Sequence, residues 1–242
     1  MSTPVALRNW RTAAQRQVSA TLRAQKTALE DWQAASTEGR QAATEVVNAF
    51  LNLGLVEGGL DLGVLSALPN VQECAVLKLR LQQRRALERV VKATKQLEAS
   101  YGSFSKAVEA LELPIIDQTS PSPSRPSSPM TSVHEPAAPV YNCLNIGTLR
   151  GLFRELLEMY HAELRTKTRL TEEFVCLVHS EKYSRNANTA KDTAQKGKEA
   201  KSGADLRGVL ETYLATWLLE PRIDNSRLVE IKSLIEKEMK LL

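Results

Sequence analysis

Apolar side chains recur three and four residues apart, in unbroken register, at Leu87, Val90, Thr94, Leu97, Tyr101, Phe104, Val108 and Leu111. That spacing holds one stripe on one side of a helix for about seven turns, and matching patterns recur in three other segments. From Thr3-Pro4, where Thr suits the cap and Pro the first helical position, Leu7, Trp10, Ala14, Val18, Leu22, Leu29, Trp32, Val46, Phe50 and Leu53 trace an apolar face up to Gly54. A helix of roughly 50 residues is ~75 Å long, so a kink or break is expected near residues 36–39. Residues 54–63 read as a glycine-punctuated connector and 64–68 as a short turn. A second long helix then starts at Pro69-Asn70 and ends at Leu113-Pro114, with Gly102 inside it costing ~1 kcal/mol relative to Ala.

A third helix opens near Thr148 and carries Leu149, Leu152, Phe153, Leu156, Tyr160, Leu164, Leu170, Phe174 and Leu177 on one face. Leu206, Val209, Leu210, Tyr213, Leu214, Trp217 and Leu218 mark a short helix stopped by Pro221. Asp224 can cap a last helix with Leu228, Ile231, Leu234, Ile235 and Met239 inward. Between the halves, six prolines from Pro121 to Pro139 alternate with Ser and Thr. Such a segment buries too little apolar surface to offset its ordering entropy. The expected fold is all-α: an elongated bundle of about five helices with two long antiparallel helices in 1–113. A disordered Ser/Pro-rich linker (114–146) and a C-terminal helical half (147–242) with a charged loop at 181–203 complete it. Ser120, Ser122 and Ser128 each precede a proline and are minimal sites for proline-directed phosphorylation.

Composition agrees with helices. Among 242 residues 43% are hydrophobic and 25% charged, with 11 glycines, and Ala, Leu, Glu, Lys, Arg and Gln, the strong helix formers, dominate. The net charge of +4 is too mild to imply nucleic acid. It is unevenly spread, however: Lys78, Arg80, Arg84, Arg85, Arg89, Lys92 and Lys95 face only Glu88 within residues 78–95. On a helix these cations spread around much of the circumference, Arg80, Arg84 and Lys95 on one side and Arg85, Arg89 and Lys92 on the other. They are candidates for contact with RNA or an acidic protein surface. Without interleaved aromatics, base-specific recognition is disfavoured. Cys74, Cys143 and Cys176 form no CxxC pair and fit a reducing compartment. No apolar N-terminal core reads as a signal peptide, and no run reaches the roughly 18 apolar residues of a membrane span. The nucleus and cytoplasm are the expected locations.

Catalytic chemistry finds little to stand on. His161 and His179 lie five turns apart, ~27 Å along a helix, too far to share a metal, and His134 falls in the linker. Gly58-Gly59 and Gly63 lack the Lys-Ser/Thr of a phosphate loop, and no GxSxG elbow occurs. The chain is therefore expected to be no enzyme, with no catalytic or metal residues, no cofactor and no small-molecule substrate. Partner contact is expected instead from Leu156, Met159, Tyr160 and Leu164, and from Tyr213, Trp217, Leu218 and Pro221. A tryptophan at such a position is more often core than contact surface; if exposed, Trp217 becomes the first anchor, since Trp and Tyr dominate interface energetics.

Three stretches read together carry a resemblance: Leu65-Ser66-Ala67-Leu68-Pro69-Asn70-Val71; Leu156-Leu157-Glu158-Met159-Tyr160-His161-Ala162-Glu163-Leu164, followed by Lys167 and Arg169; and Tyr213-Leu214-Ala215-Thr216-Trp217-Leu218-Leu219-Glu220-Pro221. Their order and spacing resemble the AIRIM-type ribosome maturation factors, small helical adaptors. The second and third stretches are also similar to the related cyclin-dependent-kinase-interacting adaptor CINP. The Leu-Pro-Asn step favours the first and the Trp-Leu-x-x-Pro step the second. The resemblance implies a non-catalytic adaptor of an AAA ATPase complex. Its partners would be the ATPase subunits, a second small helical adaptor and a pre-ribosomal particle. Its work would be cytoplasmic maturation of the large ribosomal subunit, with a link to protein turnover at chromatin. Two other readings compete: a structural coiled-coil subunit of cytoskeletal or kinetochore type, self-associating through 87–111, and an RNA-binding module.

Overall fold

The computed structural model describes residues 4–59, 63–64, 69–112, 138–179 and 196–240. Five helices hold most of them: α1 (Pro4–Glu57), α2 (Val71–Glu112), α3 (Ile146–His179), α4 (Lys196–Leu219) and α5 (Asn225–Lys240). Among the described residues there is no strand, only an isolated antiparallel bridge between Pro139 and Asn145. The fold is the all-α helical bundle that the periodicity predicts.

Local chemistry explains the helix ends. Asn145 Oδ1 accepts the Thr148 N–H at 2.8 Å and starts α3. Asp224 Oδ1 accepts the N–H groups of Ser226 (2.9 Å) and Arg227 (3.1 Å), as an N-cap should. Hydrogen bonds from the Ser226 hydroxyl and these amides hold its carboxyl below the ordinary aspartate value. At the other end of the turn, Glu220 adopts φ 47°, the left-handed conformation that closes a helix, just before Pro221.

The chain forms two compact units: Met1–Asp31 with Ala99–Ala162 and Arg222–Leu242, and Trp32–Glu98 with Glu163–Pro221. This division cuts across the boundaries 1–113, 114–146 and 147–242 drawn from composition, because α1, α2 and α3 each supply residues to both units.

In the first unit, Trp10, Ala14 and Val18 of α1 meet Phe104, Val108 and Leu111 of α2, Leu149, Phe153 and Leu156 of α3, and Ile231 and Ile235 of α5. Thr21 Oγ1 donates to the Ala107 carbonyl and Gln17 Nε2 to the Ala110 carbonyl, so α1 and α2 run antiparallel here. Residues 138–145, assigned to the disordered linker on composition, instead form an ordered loop in this core. Val140 is fully buried and its N–H donates to the Leu144 carbonyl, while Gln15 Nε2 donates to the Val140 carbonyl at 2.8 Å. The buried Glu238 completes the loop: one oxygen accepts the N–H groups of Asn142, Cys143 and Leu144 at 2.8, 2.7 and 2.8 Å. Burial alone raises the Glu238 carboxyl pKa, but these three donors outweigh it and hold the group below the ordinary glutamate value.

The second unit packs the alanines and valines of α1 and α2 against larger side chains of α3 and α4. Ala42, Ala43, Val46 and Val47 of α1 and Ala86, Leu87 and Val90 of α2 close on Leu170 and Phe174 of α3 and on Leu210 and Trp217 of α4. Arg80 pairs with Glu57 and Arg89 with Glu45, again an antiparallel α1–α2 pair. Helix α1 passes through residues 36–39 without the expected break. Gly39 is there for closeness: a Cβ would stand 2.7 Å from Trp217 Cζ2 and 3.2 Å from the Ala93 Cβ. Two further expectations change. Helix α4 begins at Lys196, inside the stretch read as a loop. Leu234, expected inward on α5, is exposed, as are Val209 and Leu218 on α4. Residues 65–68, His134 and Ser120, Ser122 and Ser128 lie outside the described residues.

Candidate docking surfaces and an internal charge cluster

The α2 stripe faces inward. Leu87, Val90, Thr94, Leu97, Phe104, Val108 and Leu111 are all buried against their own chain. Tyr101 is half-buried and stacks on the exposed His161, ring centroids 5.4 Å apart. A stripe engaged inside one chain offers no seam to a second copy.

The residues chosen for partner contact fare the same way. Leu156, Tyr160, Leu164 and Trp217 are buried, and Met159 and Tyr213 are half-buried against the two cores. Only Leu218, 38% exposed, and Pro221 reach the surface. The physical reason is simple: an apolar side chain of the right period packs inside its own fold whenever a facing helix is available. Periodicity therefore identifies a face without saying what covers it.

Where the α3 stripe should continue between Leu164 and Leu170, the chain carries Lys167. Its side chain, and that of Glu163 one turn earlier, are 0% exposed. The Lys167 ammonium lies 3.1 Å from the Glu220 carboxylate, 3.8 Å from Glu163, 3.2 Å from Ser36 Oγ and 3.2 Å from the Trp217 carbonyl. It also stands 4.8 Å from the Trp217 ring centroid, within cation–π range. The Ser36 hydroxyl donates to Glu220. One turn along α3, Thr171 donates to the Lys167 carbonyl and pairs with Thr94 Oγ1 at 2.8 Å. That pairing explains the threonine in the α2 stripe. The cluster was missed in sequence, although the gap between Leu164 and Leu170 was its signal.

The basic run divides into two classes. Arg89 is held by Glu38 and Glu45, both at 2.7 Å, contacts that raise its pKa further, and Arg80 is held by Glu57 at 2.9 Å. Arg84, Arg85, Lys92 and Lys95 are exposed. The cysteines Cys74, Cys143 and Cys176 are free and exposed. Among the described residues no group of three or more His, Cys, Asp or Glu side chains is placed to hold a metal, and no helix is long and apolar enough to cross a membrane. No family model, no curated protein and no solved structure matches the chain.

Proposed function

We propose that this chain is a non-catalytic helical adaptor within an AAA ATPase assembly that matures the large ribosomal subunit, the ATP chemistry belonging to its partner. One observation carries the reading. Glu163 and Lys167 belong to the second stretch of the resemblance and Trp217 and Glu220 to the third, and these four meet in one buried cluster. Their meeting supports reading the two stretches together, as parts of one packed unit. The same cluster supports a second reading, a CINP-like genome-maintenance adaptor, because it contains the Trp-Leu-x-x-Pro step. The structural coiled-coil reading loses its surface, since the 87–111 stripe is covered by the chain's own helices.

The test is quantitative mass spectrometry of the tagged full chain from cells under native conditions. The adaptor reading expects an AAA ATPase and a second small helical protein near equal amounts with the bait, and slowed late maturation of large-subunit precursors on depletion. Recovery of replication proteins without ribosome precursors favours the second reading. A bait that brings down no AAA ATPase sinks both.

A further inference from the structure

We infer that the solvent face of α2 is the docking surface of this adaptor, and that it takes an acidic amphipathic helix of a partner protein. The inference rests on the adaptor reading above and adds to it the surface and the chemistry of what binds there.

Burial fixes which side of α2 faces out. Ala86, Val90, Ala93 and Leu97 point into the second unit. At about 100° per residue, Leu77, Leu81, Arg84, Arg85, Lys92 and Lys95 fall on the opposite side, inside an arc of about 100°. This is a tighter grouping than the sequence alone suggested. Leu77 is 67% exposed and Leu81 49%, two large apolar side chains one turn apart. The four cations follow them toward the C-terminus, interrupted only by Glu88. The stripe from Leu77 to Lys95 is ~27 Å long at 1.5 Å per residue, enough for about 18 residues of a second helix lying alongside.

The pattern selects the occupant. Two exposed leucines at (i, i+4) are the anchor spacing of helix-on-helix recognition, and the cations beyond them call for carboxylates. Arg80 and Arg89, the cations of the run held by Glu57, Glu38 and Glu45, lie off this arc. Nucleic acid fits less well, because a phosphate backbone has nothing to place on the leucines and no aromatic ring is at hand to stack a base. A second copy would set these cations against one another. The partner helix therefore carries an apolar pair one turn apart, followed on the same face by Glu or Asp every three to four residues.

The probe is a stapled, fluorescein-labelled 20-residue helix with that arrangement, titrated with the full-length protein and read by fluorescence anisotropy. Binding is expected, weakening with added salt. The L77A/L81A and R84E/R85E variants are each expected to lose at least tenfold in affinity with an unchanged circular dichroism spectrum. R84E/R85E should in turn gain affinity for the same peptide with Lys replacing Glu. The inference is overturned if the acidic peptide does not bind, if neither variant weakens it, or if a 20-nucleotide single-stranded RNA binds more tightly and ignores L77A/L81A. Co-purification separates the two proposals. If the variants still bring down both the AAA ATPase and the second small helical protein at wild-type levels, this surface is wrong and the adaptor stands. If wild type brings down none, the adaptor reading falls whatever the peptide does.

Discussion

The two units solve the same packing problem with different materials. The first is filled by large aliphatic and aromatic side chains, with Phe104, Phe153, Leu111 and Ile231 almost fully covered, and the buried Glu238 carboxylate serves a loop. The second uses alanines to bring helices close and leaves a lysine and a glutamate, Lys167 and Glu163, without solvent contact at its centre. An apolar core tolerates any neighbour of suitable volume. A buried charge is satisfied only by one arrangement of partners, so the second unit specifies which helix meets which, with less margin for losing a single group.

That contrast can be broken at its strongest point. Lys167→Met leaves Glu163 buried beside an apolar chain, and we expect a loss of about 3–5 kcal/mol in urea denaturation. Replacing Glu163 as well, in K167M/E163L, should recover most of it, because the fully buried charge is then gone and the remaining Glu220 carboxylate keeps contact with solvent. In the first unit Phe153→Ala should cost a similar ~3–5 kcal/mol, yet no second substitution of a charged neighbour should restore it. Equal recovery in both units would erase the distinction.

A smaller effect is expected at Glu238. Glu238→Ala strips three backbone N–H groups of their acceptor, with an expected loss of about 2–3 kcal/mol. Because the folded carboxyl titrates below the ordinary value of 4.5, its contribution is complete above that pH. It fades as pH falls through the lower folded value. Thermal unfolding from pH 6 down to pH 3 should show Glu238→Gln losing part of this acid dependence. An unchanged acid limb would mean that the three amides do not favour the ionised form.

The smallest effect compares two glycines. Gly39→Ala gains helix propensity but drives a methyl into the buried Trp217 ring, so a net loss of roughly 1–2 kcal/mol is expected. A Cβ at Gly102 meets nothing within 4 Å, so Gly102→Ala should stabilise by up to ~1 kcal/mol. Calorimetry on the two variants gives opposite signs if the second unit is the tighter one at α1, and the same sign if it is not.

Helix existence was legible because burial obeys the 3.6-residue period: Leu97 and Phe104 of α2 are among the most covered side chains, as their spacing requires. The Asp224 cap was legible for the same local reason. What burial opposes was not. Leu156 and Trp217 are buried in their own chain, and a periodic face carries no record of whether its cover comes from the same chain or from a partner. Lys167 takes a place in the α3 stripe because Glu163 and Glu220 meet its charge, and no period in the sequence records that pairing. A break near residues 36–39 is expected from helix length alone, and length does not show the indole of Trp217 against which Gly39 rests. The loop at 138–145 is hidden by the proline-rich composition that runs into it, since its order comes from Glu238, about a hundred residues away.

Both ends of the stretch from 113 to 137 are anchored in the same body. Leu111 and Arg150 are joined by a hydrogen bond from the arginine to the Leu111 carbonyl at 2.7 Å, and Val140 lies in the same core. The described residues that flank this interval therefore belong to one unit, so the boundary between two halves does not fall here. Doubling the length of chain between two joined points costs only about 0.6 kcal/mol of closure entropy, so lengthening this interval should leave the stability of the unit nearly unchanged.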